Sequence, residues 1–255
     1  GHGSIQSDFL REAERIIGAA KKESVLLRLL GALAFNMHCT KFNYMQKKLQ
    51  RSFSDIDFAS YRRYSTQIVR LFLNLGYQED VMVTRLYGTR RLVFLESGAN
   101  NRHCDIFLDK LEFCHDIPFE GRLEADDPTV PLAELLLEKM QIVKLNQKDV
   151  VDTIMLVREH QIGNTDEAIN AARIASLCAR DWGLWRTVTN NLNRIREITS
   201  AMEEISADDK ADVSSKIKDL LTRIDDEPKT TGWKMRARIG EKRKWYREVE
   251  ETLEL

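Results

Sequence analysis

The sequence predicts an α+β fold, a mixed β-sheet with flanking helices, followed by an all-helical domain. Three observations predict it. Residues 54–59, 91–96 and 103–108 are short runs rich in Val, Leu, Ile and Phe, set apart by turn residues. Segments of helical period precede and separate these runs. From residue 126 onward the helical period continues without a strand signal. The expected division is residues 1–125 and residues 126–255.

Taken in order, residues 8–20 place Phe9, Leu10, Ala13, Ile16, Ile17 and Ala20 mostly three and four apart, one buried helical stripe. Residues 24–37 read as a second helix, apolar nearly all round. A Lys-rich link, 41–51, leads to the strand at 54–59. Helical period resumes at 64–75 and ends at Gly76, placed as a left-handed C-cap. Residues 81–86, 91–96 and 103–108 are expected strands, with turns at Tyr87-Gly88-Thr89 and from Ser97 to Asn101. Pro131 suits the first turn of a helix carrying Leu132, Leu135, Leu136, Met140 and Val143. Residues 148–160, 165–180, 182–198 and 214–224 are further helices, with 206–212 as a charged linker.

Composition narrows the function classes. With 43% hydrophobic and 31% charged residues and a formal net charge of -1, the chain has no global attraction to nucleic acid or anionic membrane. Cys39, Cys104, Cys114 and Cys178 show no C-x-x-C spacing, which suits a reducing compartment and structural thiols. No apolar run reaches the roughly 18 residues of a bilayer span, and the start carries no apolar leader. A cytoplasmic protein without membrane contact is expected.

Within Arg51-Ser52-Phe53-Ser54-Asp55-Ile56-Asp57-Phe58, the two aspartates stand two apart on a strand and so share a face, about 6.6 Å apart along the chain. Ile56 and Phe58 supply the opposite, buried face. Two carboxylates converging in this way resist burial unless a cation neutralises them. A later strand, His103-Cys104-Asp105-Ile106-Phe107-Leu108, offers a third carboxylate if it neighbours the first. Three hard oxygen donors, with water and phosphate, are what Mg²⁺ asks of a protein. Two such ions about 4 Å apart would activate an attacking hydroxyl and hold a leaving group. Taken alone, D-x-D also fits a solvated strand edge.

The succession of Leu30-Gly31-Ala32-Leu33-Ala34-Phe35, then Arg51-Ser52-Phe53-Ser54-Asp55-Ile56-Asp57-Phe58, then Cys104-Asp105-Ile106 resembles the DNA polymerase β-type nucleotidyltransferases. The match is closer to the branch that contains the AbiE-type abortive-infection toxins. Residues 131–140, with Lys139, and residues 147–152, with Asp149, look like that branch's helices along the nucleotide cleft. The resemblance spans about residues 24 to 160 in order and implies a nucleotidyltransferase-like sheet domain beside a helical domain. It implies Asp55 and Asp57 as metal ligands, Asp105 as the third carboxylate, and Gly31, Arg51, Ser52, Lys139 and Asp149 as contacts of a nucleoside triphosphate bound with Mg²⁺. The acceptor would be an RNA, a protein or a small molecule, and a protein partner fits a toxin-antitoxin setting.

One departure stands out. Where the family carries Gly-Ser or Gly-Gly, this chain has Leu30-Gly31-Ala32, with one glycine and no hydroxyl. A non-catalytic nucleotide-binding or regulatory protein on the same fold therefore stays open, as does a metal-dependent phosphohydrolase. Lys139 and Lys148 are candidate phosphate partners or surface lysines. Asp149 and Asp152, three apart on a helix, could orient Lys139 or Lys144, or merely cap and solubilise the helix. His103 precedes Asp105 and reads more readily as a hydrogen-bonded structural histidine. The tail 234–247, with seven basic residues against Glu241, could meet phosphates or a partner, or pack Trp233 and Trp245 onto the bundle.

Overall fold

The computed structural model describes residues 2–49, 51–87, 90–98 and 101–249, so the turn positions Gly88, Thr89, Ala99 and Asn100 lie outside the described residues. Two compact units emerge: residues 1–111 with 118–131, and residues 112–117 with 132–255. The chain passes from the first to the second for good between Pro131 and Leu132, beyond the expected boundary at 125.

The first unit begins with helix α1 (His2–Lys22) and strand β1 (Arg28–Leu30), followed by α2 (Gly31–His38) and the short α3 (Tyr44–Lys48). Strand β2 (Asp55–Ser60), α4 (Ser65–Asn74), β3 (Tyr77–Glu79), α5 (Val81–Tyr87), β4 (Arg91–Glu96) and β5 (His103–Leu108) complete its sheet region. The five strands lie in the order β1-β2-β5-β4-β3. Strands β2 and β5 are parallel and the remaining pairs antiparallel. A mixed α/β unit followed by a helical one is the architecture expected.

One face of this sheet is the core. Ile56, Phe58, Cys104, Ile106 and Phe94 are all fully buried on it. Helix α4 covers them: Phe72 stacks on Phe94 at 4.4 Å and meets Phe58 and Tyr77 edge-on at 6.3 and 5.4 Å. The sheet is tied to α1 by charge as well. Arg102 grips Glu96 with both Nε and Nη2 and reaches Asp8 at 2.6 Å, while the Tyr77 hydroxyl donates to Glu12 at 2.7 Å.

Residues 24–37 are not one helix, because an apolar run without period does not distinguish a buried helix from a buried strand. Leu29 instead donates to the Pro128 carbonyl and accepts from Val130, β1 pairs with β2, and Gly31 at φ +66° turns the chain into α2. Residues 81–86 form helix α5 rather than a strand. Asp80 starts it, its carboxylate accepting from Val83 at 3.1 Å and its carbonyl from Thr84 at 3.0 Å. This local cap outweighs the strand preference of Val and Leu, and Met82 and Leu86 stay 70% and 76% exposed. The expected linker 206–212 is the start of a helix, capped by Ser206, whose hydroxyl accepts from Asp209 at 3.1 Å.

Two short strands, β6 (Lys110–Glu112) and β7 (Asp116–Pro118), form a separate two-stranded ladder. The second unit then holds α6 (Leu132–Met140) and α7 (Gln147–Glu159), strands β8 (Ile162–Gly163) and β9 (Ile169–Asn170), and α8 (Ala171–Arg180). Helices α9 (Trp182–Ala201), α10 (Ala207–Asp226) and α11 (Thr231–Ile239) follow. A turn and strand β9, which pairs in parallel with β8, take the first part of the segment expected as a helix over 165–180, and the helix starts at Ala171. Helix α10 buries Val213, Ile217, Leu220 and Ile224, spaced three and four apart.

The tail packs its aromatics onto the bundle. Trp233 lies edge-on to Trp185 at 5.1 Å, and Trp245 to Trp182 at 6.0 Å. At Gly183 a methyl group would lie 2.6 Å from the Trp245 carbonyl oxygen, so the tail's close approach requires glycine there. All four cysteines are buried. Among the described residues no helix is long and apolar enough to cross a membrane.

His115 sits beneath this tail, its Nε2 2.8 Å from the Thr187 hydroxyl. Burial pushes its imidazole down to about 4, assisted by Arg247 and opposed by Asp181 and Asp116. The unfolded chain protonates His115 near its usual value, whereas the native state does so only near pH 4. Between these values the unfolded state binds more protons, so stability falls as pH falls. Urea unfolding from pH 6.5 to 4 should show roughly 3 kcal/mol of loss that is absent in His115→Asn.

Candidate functional site

The acids of the first unit are brought together by strand register. In the parallel β2–β5 pair Asp57 stands opposite Asp105 and Asp55 opposite His103, so three carboxylates and an imidazole share one face. The other face is the aromatic core. Asp105 is 6% exposed and Asp57 half-buried, while the Asp55 side chain is 46% exposed. Ser54 donates to Asp55 at 2.9 Å. The sequence expectation that Asp105 neighbours Asp55 and Asp57 therefore holds as geometry.

Gly31 belongs to the same place. Leu30 pairs with Asp57 across β1–β2, and Gly31 is the next residue, opening α2 at φ +66°. A methyl group at Gly31 would run into Asp57 Oδ2 and lie 3.3 Å from its Cγ. Only glycine both adopts this turn and admits the carboxylate. Gln46, 2% exposed, donates to the Ala32 carbonyl at 3.3 Å, and its side-chain oxygen accepts from Asn36 at 2.7 Å.

A basic residue joins the acidic face. Arg91 stands on β4 opposite Phe107, and its Nε donates to Asp105 Oδ1 at 2.8 Å across the diagonal. Burial alone would lower the guanidinium pKa, but the hydrogen bond to Asp105 and the charges of Asp105 and Asp57 raise it above its ordinary value. His103 Nδ1 lies 3.5 Å from Asp105 Oδ2 and 3.9 Å from Asp55 Oδ1. Sequence reasoning missed Arg91, because an arginine at a strand start carries no local signal. The signal for His103 was its i, i+2 spacing to Asp105.

The donor chemistry, hard carboxylate oxygens, fits Mg²⁺. The side-chain arrangement is not a closed ligand set: among the described residues no group of three or more His, Cys, Asp or Glu side chains is placed to hold a metal ion. Asp55 and Asp57 are the residues that would hold one. Arg51 is buried rather than an exposed loop charge, and its guanidinium donates to the Ser52 carbonyl, while Ser52 is exposed.

Lys139 and Asp149 lie in the second unit. All nine residues of α6 are buried, and Lys139 Nζ is 3.5 Å from Glu138, 3.4 Å from Asp149 and 3.4 Å from Asp152. Asp149 also completes a reciprocal cap with Asn146 at the start of α7, while Lys148 is exposed. A cavity of about 510 Å³ within this unit is lined by Glu138, Lys139, Lys144 and Asp149 and, from the tail, Tyr246 and Arg247. Arg247 anchors that tail by donating to the Phe113 carbonyl at 3.0 Å and pairing with Asp116.

No protein-family model matches the chain, and no curated protein matches it.

Gly31→Ala should lower the urea midpoint by the equivalent of about 1–2 kcal/mol, since the side chain meets both a left-handed backbone and the Asp57 carboxylate. Gly18→Ala, inside α1 with open space around it, should be neutral or stabilising in the same measurement. Lys139→Met removes the ammonium from among three buried acids. Its thermal unfolding should report a loss of about 3 kcal/mol.

Proposed function

We propose that the acidic face of the first unit is the centre of a metal-dependent nucleotidyltransferase. The observation that carries this reading is the pairing of Asp57 with Asp105 in register, with Asp55 on the same face and the Gly31 turn against Asp57. Like charges directly opposite on neighbouring strands are unfavourable unless a cation answers them. The resemblance to the DNA polymerase β-type nucleotidyltransferases assigns this combination the transfer of a nucleoside monophosphate from a triphosphate.

In this reading Asp55 and Asp57 would hold Mg²⁺, whose chemistry would be charge neutralisation of the triphosphate and of the pyrophosphate leaving group. Asp105 orients the acceptor hydroxyl and takes its proton as the oxygen attacks the α-phosphorus. The new bond joins acceptor oxygen to phosphorus, and the bond that breaks releases pyrophosphate. The Gly31 turn presents the first amides of α2, an eight-residue helix, on the side of Asp57, where they would favour a phosphate. Orientation and charge neutralisation supply most of the rate, as in phosphoryl transfer generally.

A second reading has its own observation. Arg91 already answers Asp105, which suits a protein that binds a nucleotide without turning it over.

Calorimetry with each nucleoside triphosphate and Mg²⁺ should detect binding that is lost in D55N/D57N. Equal binding by both proteins, or none by either, sinks the proposed site. Pyrophosphate release across RNA, protein and small-molecule acceptors separates the two readings: turnover lost in Asp105→Asn supports the transferase, and binding without turnover supports the second.

A further inference from the structure

Arg91 is placed where a bound cation would be needed, and its position is constructed. The guanidinium carbon lies 5.3 Å from the centre of the Phe107 ring and 5.8 Å from that of Tyr87, while Nε is fixed to Asp105 Oδ1 at 2.8 Å. Its side chain is 25% exposed against 8% for Asp105, so the pair sits at the rim of the face and not in the core. Asp57 stands in register with Asp105 and adds its negative charge to the same place. His103 approaches the other oxygen of Asp105.

We infer that Arg91 is the resident counter-cation of the Asp57–Asp105 pair, so that a divalent ion engages this face only in competition with the guanidinium. The inference rests on the metal-binding reading given above. A divalent ion drawn to Asp57 and Asp105 comes within a few ångströms of the guanidinium held on Asp105 Oδ1, and the two positive charges repel. The guanidinium thereby offsets part of the negative charge of the face in the absence of ion, and bare divalent ions bind it more weakly than they would without the arginine. An ion that arrives on a polyphosphate changes this balance. The guanidinium released from Asp105 matches a phosphate in the same bidentate way it matches a carboxylate, so the arginine exchanges one anionic partner for another.

The test is Mn²⁺ titration followed by electron paramagnetic resonance on the full chain and on Arg91→Gln, Arg91→Lys and Asp57→Asn, with circular dichroism as the check of folding. Arg91→Gln should bind Mn²⁺ about tenfold tighter than the wild type, and Asp57→Asn should lose the ion. Arg91→Lys keeps the charge without the planar fork and should gain about threefold, which carries the test if the glutamine variant does not fold. Wild-type binding that is unchanged or weakened in the Arg91 variants overturns this inference and leaves the metal site standing. Binding that survives Asp57→Asn overturns it too, because the ion then sits elsewhere. No Mn²⁺ binding by either wild type or Arg91 variants overturns the inference together with the metal-binding reading.

Discussion

The parallel pairing of β2 with β5 is the constraint on which the first unit depends. It sets Asp57 beside Asp105, a repulsive arrangement, and the same register sets Phe58 beside Ile106 on the other side of the sheet. Parallel neighbours require a crossover, and here the chain between them contributes α4, β3, α5 and β4. Helix α4 brings Phe72 onto Phe58 and Phe94, so the segment that makes the parallel pairing possible also builds the core that holds it. Burial of that apolar face, at about 25 cal/mol per Å², fixes the register, because a slip of one residue would turn the acids inward.

Once the register is set, the acids define what surrounds them. Gly31 has room for no side chain because Asp57 occupies the space where one would go. Arg91 comes to Asp105 from a third strand, and aromatic rings on two elements hold its guanidinium there. The second unit handles buried charge with the signs reversed. There one lysine, Lys139, lies among Glu138, Asp149 and Asp152, and one of those acids also caps the following helix. In both places the charged groups are held by neighbours that have structural work of their own, which keeps each cluster in a single geometry.

Much of this was legible in local patterns. Asp55-Ile56-Asp57-Phe58 states its own two faces by alternation, and Leu132 to Met140 states a helix by its apolar content and the preceding proline. Residues 24–37 and 81–86 were misread for opposite reasons. In the first, the apolar run contains no period, and the strand exists only because β2 and residues 128–130 offer backbone partners. In the second, strand-favouring residues are overruled by a cap at Asp80, and Val81, Met82 and Leu86 stay exposed. The linker expected at 206–212 was a charged first turn, where acids favour the helix N-terminus.

The sequence by itself determined which carboxylates share a strand face, which residues break helices, and that a sheet-containing region precedes a helical one. These follow from periods of two and 3.6 and from the φ preferences of glycine and proline, which act within a few residues. Only the tertiary structure decided that Asp105 faces Asp57, that Arg91 neutralises it, that Gly31 lies against a carboxylate and that Lys139 meets three acids. Each of these joins residues far apart in the chain, and such contacts are set by strand order and register, which hydrophobic burial selects over the whole unit and no local pattern records.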